Sequence, residues 1–222
     1  MKVFVVYAHP EPTSFNGALK DRTVQTLTEA GHEVVVTDLH AENFDPRAGR
    51  HDFETVADPT RFDYQIEQKH AAATGTYVPE LARDQDRLFW CDLLIFHFPI
   101  WWFGPPGILK GWIDRVLGYG HLYDLGHRYA TGKLQGRRAI VCTTTGGPAE
   151  RFGPEGQYDD IGVYLRLIEF GVFEYLGFEA LERFVAWSAG RVSDDARKAY
   201  LDAWGARLNG LDISADALRS VG

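Results

Sequence analysis

Apolar and polar positions along the chain switch repeatedly between a strand period and a helix period. Val3–Ala8 is an unbroken apolar run, the pattern of a strand covered on both faces. Asn16–Ala30 then spaces Leu19, Val24 and Leu27 as a helix does, and Gly31 is placed to cap its end. Glu33–Leu39 predicts a second strand, Leu81–Trp90 a helix with Leu81 and Leu88 inward, and Asp92–Phe98 a third strand. Pro106–Leu117 predicts a helix with proline near its start, where a missing N–H costs nothing. Arg138–Thr143 predicts a fourth strand, Asp160–Leu176 a helix ended by Gly177, and Phe178–Ala186 a fifth strand. A last helix spans Ser193–Leu208, with Ser193 as cap and Asp194 and Asp195 complementing its positive end.

Strands alternating with helices predict one parallel sheet covered on both faces, an α/β doubly wound fold. Five strands favour the flavodoxin-like order 2-1-3-4-5 over the six-stranded dinucleotide order. The 222 residues fit a single domain over 1–222. Two stretches break the rhythm, at about 40–79 and 118–136, and read as long insertions. The first carries Phe44, Phe53, Phe62, Tyr64 and Tyr77, rings that suggest packing against something, such as a neighbouring subunit.

Composition narrows the class. A formal charge of −8 argues against nucleic acid and against an anionic membrane surface as partners. No apolar run is long enough for a membrane span, and the N-terminal run is too short for a signal peptide. The two cysteines, Cys91 and Cys142, lie in strand-like runs outside any CxxC, as buried thiols of a cytoplasmic protein would. No metal site is expected.

Three loops, after strands 1, 3 and 4, carry the candidate chemistry. His9-Pro10-Glu11-Pro12-Thr13-Ser14-Phe15-Asn16 has neither GxGxxG nor a P-loop. Its hydroxyls, Asn, His and helix N-terminus suit a phosphate, and the same residues suit a plain helix cap. Pro99-Ile100-Trp101-Trp102-Phe103-Gly104 puts three large rings on a loop, either as a structural cluster or as a surface for a planar ligand. Thr143-Thr144-Thr145-Gly146-Gly147 is either a tight turn or a set of backbone donors brought close to a ligand. Together, at the carboxyl ends of the strands, they offer what a flavin nucleotide needs: phosphate donors, a stacking surface and polar edge contacts.

These stretches, YAHPEPTSFN, TDLHAENFDP, CDLLIFHFP, WFGPPGILKGWIDRV, TTTGG and SAGRVSDDAR, resemble those of the flavodoxin-like NAD(P)H:quinone oxidoreductases, the DT-diaphorases, from Lys2 to about Leu208. The resemblance implies FAD, with FMN as the alternative, and NADPH or NADH as hydride donor. By that resemblance His9, Thr13, Ser14, Phe15 and Asn16 hold the phosphates and ribityl chain. Pro99, Ile100, Trp101, Trp102 and Phe103 flank the isoalloxazine, and Thr144, Thr145, Gly146 and Gly147 bond its polar edge. Arg197 falls near the adenine end. Tyr123, Tyr129, Tyr175, Phe152 and Trp102 line the pocket for a quinone or similar aromatic acceptor. Some of these come from the partner in a homodimer.

The chain departs from the family pattern at several positions. Trp101 and Asp63 stand where the family has Gln, Leu125 where it has a second pocket Tyr, and Arg128 where it has an apolar residue. The Tyr–His relay becomes Phe152 and Tyr158. Hydride transfer to the flavin leaves negative charge at its N1–C2=O edge, where aimed donors lower the barrier. Gly146, Gly147 and Tyr158 are the catalytic candidates. Tyr158 can donate a hydrogen bond but brings no positive charge, and Phe152 does neither. One pocket serving both ligands implies ping-pong kinetics. Two other functions fit the same fold: a flavodoxin-like electron carrier, and an ancillary regulatory flavoprotein of a potassium-efflux system.

Overall fold

The structure, a computed structural model, describes residues 1–211; the last part of the 1–222 span lies outside the described residues. Five strands run parallel in the order β2-β1-β3-β4-β5, and a sixth, β6, also pairs with β4. β1 is Lys2–Tyr7, β2 Glu33–Asp38, β3 Leu93–Pro99 and β4 Arg138–Thr144. The apolar run of β1 is explained by its two covered faces. Val3 and Val5 join Leu93, Ile95 and Ile140 under α1 (Phe15–Glu29) and α6 (Asp194–Asn209), which contribute Leu19, Leu27, Trp204 and Leu208. Phe4 and Val6 join Leu94, Phe96 and Val141 on the other face. That face is covered by α3 (Pro79–Trp90), α4 (Gly107–Val116) and α5 (Ile161–Ile168). Among the described residues no helix is long and apolar enough to cross a membrane.

The expected fifth strand is two short pieces on the same neighbour, β5 (Glu179–Ala180) and β6 (Phe184–Ala186). Ala139 pairs with Ala180 and Cys142 with Phe184, so the edge carries one residue more than β4 over the same span. This local bulge places Arg183, whose guanidinium makes two bonds of 2.7 Å to Glu169. The helix expected over Asp160–Leu176 is α5 followed by a wider π turn over Glu169–Glu174. α3 starts at Pro79, two residues before the expected Leu81, by the rule already used for the Pro106 helix.

The 40–79 stretch is not the irregular insertion expected from its pattern. It contains α2 (Tyr64–Thr74), whose inward face is Glu67, Gln68 and Ala71. A helix that buries a carboxylate and an amide has no apolar period to read. Glu67 is satisfied by the Ala57 and Asp58 N–H groups at 2.6 and 3.2 Å, and Gln68 accepts the Tyr119 N–H at 3.1 Å. Nor do its rings wait for a neighbouring subunit. Phe53 lies 5.7 Å from both Tyr64 and Tyr77, and Phe44, Phe53 and Tyr77 are buried within their own chain. A buried ion pair fixes the stretch to α4. The Arg115 Nε donates to Asp52 at 2.8 Å, and its two terminal nitrogens donate to the Asp45 carbonyl and to Glu80. The Tyr64 hydroxyl completes the Asp52 carboxylate at 2.5 Å; burial and that carboxylate together push the Tyr64 phenol well above its ordinary range.

Candidate functional site

Strand register brings the three loops to one end of the sheet. Pro99 pairs with Thr144, and the Ile100 N–H continues the ladder to the Thr144 carbonyl at 2.9 Å. Asn16, buried at the start of α1, donates to the Thr144 hydroxyl at 2.9 Å, tying the first loop to the third. Its Oδ1 is buried without a partner, which leaves a polar atom for a ligand to satisfy.

The first loop forms the helix cap that its sequence allowed. Ser14 caps α1 by accepting the Gly17 N–H at 3.1 Å, and no acidic residue lies in the first helical turn. A Cβ at Gly17 would collide with the Pro12 carbonyl, so glycine permits the close return of the loop. The Glu11 N–H donates to His9 Nδ1 at 3.0 Å, so a neutral His9 carries its proton on Nε2 as a donor. Thr13 is turned to Glu11 instead, through its N–H at 2.9 Å and its hydroxyl at 2.6 Å; these bonds hold the Glu11 carboxyl below the usual range. Phe15 packs on Tyr200 of α6, 6.4 Å between ring centroids.

The second loop is a two-residue reversal. Trp101 and Gly104 exchange backbone hydrogen bonds at 2.9 and 3.1 Å, with Trp102 and Phe103 between them at φ 51° and 61°. The left-handed region is unfavourable for such side chains, and strain of this kind collects at ligand sites. Trp102 is 98% exposed. Core packing therefore does not set its position. Phe103 is held from behind by Tyr164 at 4.7 Å and Tyr158 at 5.1 Å, and Trp101 stands 6.1 Å from the His9 ring.

The third loop carries the donors. The Gly147 carbonyl accepts the Thr145 hydroxyl at 2.7 Å and the Ser188 N–H at 3.1 Å, which fixes the turn. The Gly146 and Gly147 N–H groups donate to no protein acceptor among the described residues, and a Cβ at Gly146 would meet open space. A pocket of about 290 Å³ joins these parts, lined by Ile100, Trp102, Phe103, Thr145, Gly146, Gly147, Phe152 and Tyr158. Phe152 and Tyr158 lie 5.3 Å apart between ring centroids, and among the described residues the Tyr158 hydroxyl has no hydrogen-bond partner.

Not every expected residue meets here. Tyr123, Tyr129 and Tyr175 form a separate cluster, Tyr175 lying 5.4 Å from Tyr123 and 5.2 Å from Tyr129. Tyr123 and Tyr175 line a different cavity of about 410 Å³ with Asp63, Leu125 and Arg128. Arg197 is engaged locally, with the Val192 carbonyl at 2.7 Å and with Asp194. Arg151 and Arg191, which no motif singled out, line the loop-3 pocket. Arg191 lies within the SAGRVSDDAR stretch without having been assigned a role there, and the signal for Arg151 is its nearness to TTTGG.

Comparison with known proteins agrees with the loop motifs. A family model for the flavodoxin-like fold matches residues 1–208. The human ribosyldihydronicotinamide dehydrogenase [quinone] is 38% identical over 208 residues, 93% of this chain and 90% of the relative. The rat NAD(P)H dehydrogenase [quinone] 1 is also 38% identical, over 93% of this chain and 76% of that protein. A solved structure from Klebsiella pneumoniae, regarded as a quinone reductase, superimposes with a TM-score of 0.89 at 36% identity, covering 96% of this chain and 85% of that one. With the sheet order, the loop chemistry and these likenesses in agreement, the chain belongs to the flavodoxin-like NAD(P)H:quinone oxidoreductase family.

Proposed function

We propose that this protein is a flavin-dependent NAD(P)H:acceptor oxidoreductase that reduces quinones or similar aromatic acceptors by two electrons, as hydride, in a ping-pong cycle. The observation that carries the reading is the pair of unengaged Gly146 and Gly147 N–H groups facing a pocket walled by Trp102 and Phe103. The donor set fits a flavin nucleotide: unpaired N–H groups for its polar edge, rings for its plane, and the α1 N-terminus with His9 Nε2 for its phosphates. The buried Asn16 Oδ1, without a partner among the described residues, is a further acceptor at the start of α1. When bound, the flavin supplies the hydride chemistry. Trp101, Trp102 and Phe103 hold the ring system and exclude water. Gly146 and Gly147 donate to the edge where negative charge accumulates, and the Tyr158 hydroxyl adds a third donor.

FAD is preferred to FMN because the 40–79 insertion and Arg197 leave room for an adenine end. A homodimer completes the site. The tyrosine cluster shares no lining residue with the loop-3 pocket of its own chain, whereas a second copy can bring Tyr123 and Tyr175 to it. Val163, Leu167 and Phe170, exposed along one side of α5 and the turn after it, offer an apolar contact for that copy. The free thiols suit a reducing cytoplasm: both are buried, and burial pushes the Cys91 thiol up to about 12. Acid release and mass spectrometry of the purified protein test the cofactor. FMN alone would overturn the FAD preference, and absence of flavin would overturn the whole reading. Parallel initial-rate lines with NADPH or NADH and a quinone are expected for the ping-pong cycle, and intersecting lines would refute it.

A further inference from the structure

The loop-3 pocket is lined by two arginines, Arg151 and Arg191, and by no carboxylate among the described residues. Among the described residues neither side chain has an acidic partner, although the protein as a whole carries a net charge of −8. The wall of this pocket is thus locally positive in a protein whose net charge is negative.

The two arginines are placed differently. Arg191 donates to the Gly146 carbonyl at 2.8 Å. That carbonyl and the Gly147 N–H belong to one trans peptide and point in opposite directions. A cation on the carbonyl polarises the unit and strengthens the N–H as a donor into the pocket. Arg191 is thus a positioning residue that acts through Gly147. Among the described residues the Arg151 side chain makes no hydrogen bond, and its Cδ lies 3.8 Å from where a Cβ on Gly147 would stand. Its stem is therefore laid along Gly147. Its backbone is fixed because its carbonyl accepts the Tyr158 N–H at 2.8 Å and its N–H donates to the Pro148 carbonyl at 3.2 Å.

From these placements we infer that Arg151 supplies, beside Gly146 and Gly147, the positive charge that Phe152 and Tyr158 lack, and so favours the reduced, anionic flavin over the oxidised form. Charge is then balanced by a fixed cation rather than by a proton relay. The inference rests on the flavin reading above. A guanidinium stays protonated across the working pH range, so its contribution is independent of pH where that of an imidazole would fade.

The test measures the two-electron potential of the protein-bound flavin in the wild type, Arg151→Met and Arg151→Lys. Arg151→Met should bind reduced flavin about tenfold less tightly relative to oxidised flavin, a potential about 30 mV more negative. Arg151→Lys should recover most of the shift. Because the Arg151 side chain holds no other residue, the melting temperature of the flavin-free protein should not change. A bound flavin with the same potential in all three proteins overturns the inference and leaves the flavin reading intact. An unchanged potential with weaker binding of NADPH than of NADH would assign Arg151 to the nucleotide phosphate, and also overturns it. A wild type that binds no flavin overturns both.

Discussion

Two residues show how burial and hydrogen bonding set chemistry one side chain at a time. Tyr158 is half-buried between Phe103, which it meets edge-on, and Phe152, and its hydroxyl has no partner among the described residues. Tyr158→Phe should slow flavin reduction by NADPH about tenfold, roughly 1.4 kcal/mol, with little change in flavin affinity; stopped-flow absorbance reads both, and an unchanged rate reduces the tyrosine to packing. His97 is fully buried in β3. Its Nε2 meets the Thr23 hydroxyl at 2.9 Å, and that hydroxyl also accepts the Trp204 indole N–H and donates to the Leu19 carbonyl. The ring is therefore the Nε2–H tautomer, and its Nδ1 has no partner. Burial, with a smaller contribution from Lys20, drives the His97 pKa from 6.5 to about 3. The unfolded chain binds a proton there that the folded chain refuses. His97 therefore lowers stability as pH falls from about 6.5 towards 3, by up to about 1.4 kcal/mol per pH unit. In urea unfolding between pH 7 and 4, His97→Gln should lose less stability than the wild type; parallel pH dependences would show that the ring protonates without cost.

The decisive elements are those whose inward face is polar. α2 presents Glu67 and Gln68 to the protein, and the segment before it presents Asp52 to Arg115. This network, together with the buried Phe44, Phe53 and Tyr77, attaches residues 40–79 to the rest of the fold. Removing one partner of a buried pair leaves an uncompensated charge. Arg115→Met should therefore destabilise the protein by about 3–5 kcal/mol, read as a fall in the urea midpoint. The double variant Arg115→Met/Asp52→Asn should recover part of that loss; no recovery would mean that Arg115 acts through packing on Phe44, over which it lies at 4.8 Å, and not through charge. Such an element is invisible to a reading based on hydrophobic period, whereas the Gly31 and Ser193 signals of α1 and α6 were legible because caps are local.

For the whole molecule, the open question is what covers the remaining apolar surface. Leu167 is 47% exposed and Val163 57%, and Leu125 stands at the mouth of the tyrosine cavity. Leu167→Asp is expected to convert a dimer to a monomer in sedimentation and to raise KM for the acceptor, since the tyrosines then come to no partner pocket. A wild type that sediments as a monomer with full activity would end the composite-site reading.

The alternation of apolar runs and helical spacing was enough to settle the parallel sheet, its order and the loops at its carboxyl end. Those features depend on local period and on chain crossovers that have a single favoured hand. The motifs in those loops likewise carried the flavin reading, because glycine, hydroxyl and aromatic residues bring their chemistry with them. What the sequence could not supply was pairing at long range. The Asn16–Thr144 bond spans 128 positions, and the Asp52–Arg115 pair and the one-residue bulge between β5 and β6 exist only once distant segments meet. The same holds for Arg151 and Arg191, forty positions apart, which line one pocket only where the turns at Gly146–Gly147 and Ala189–Arg191 meet. Charge acts through distance, and distance between remote residues is set by the packed fold.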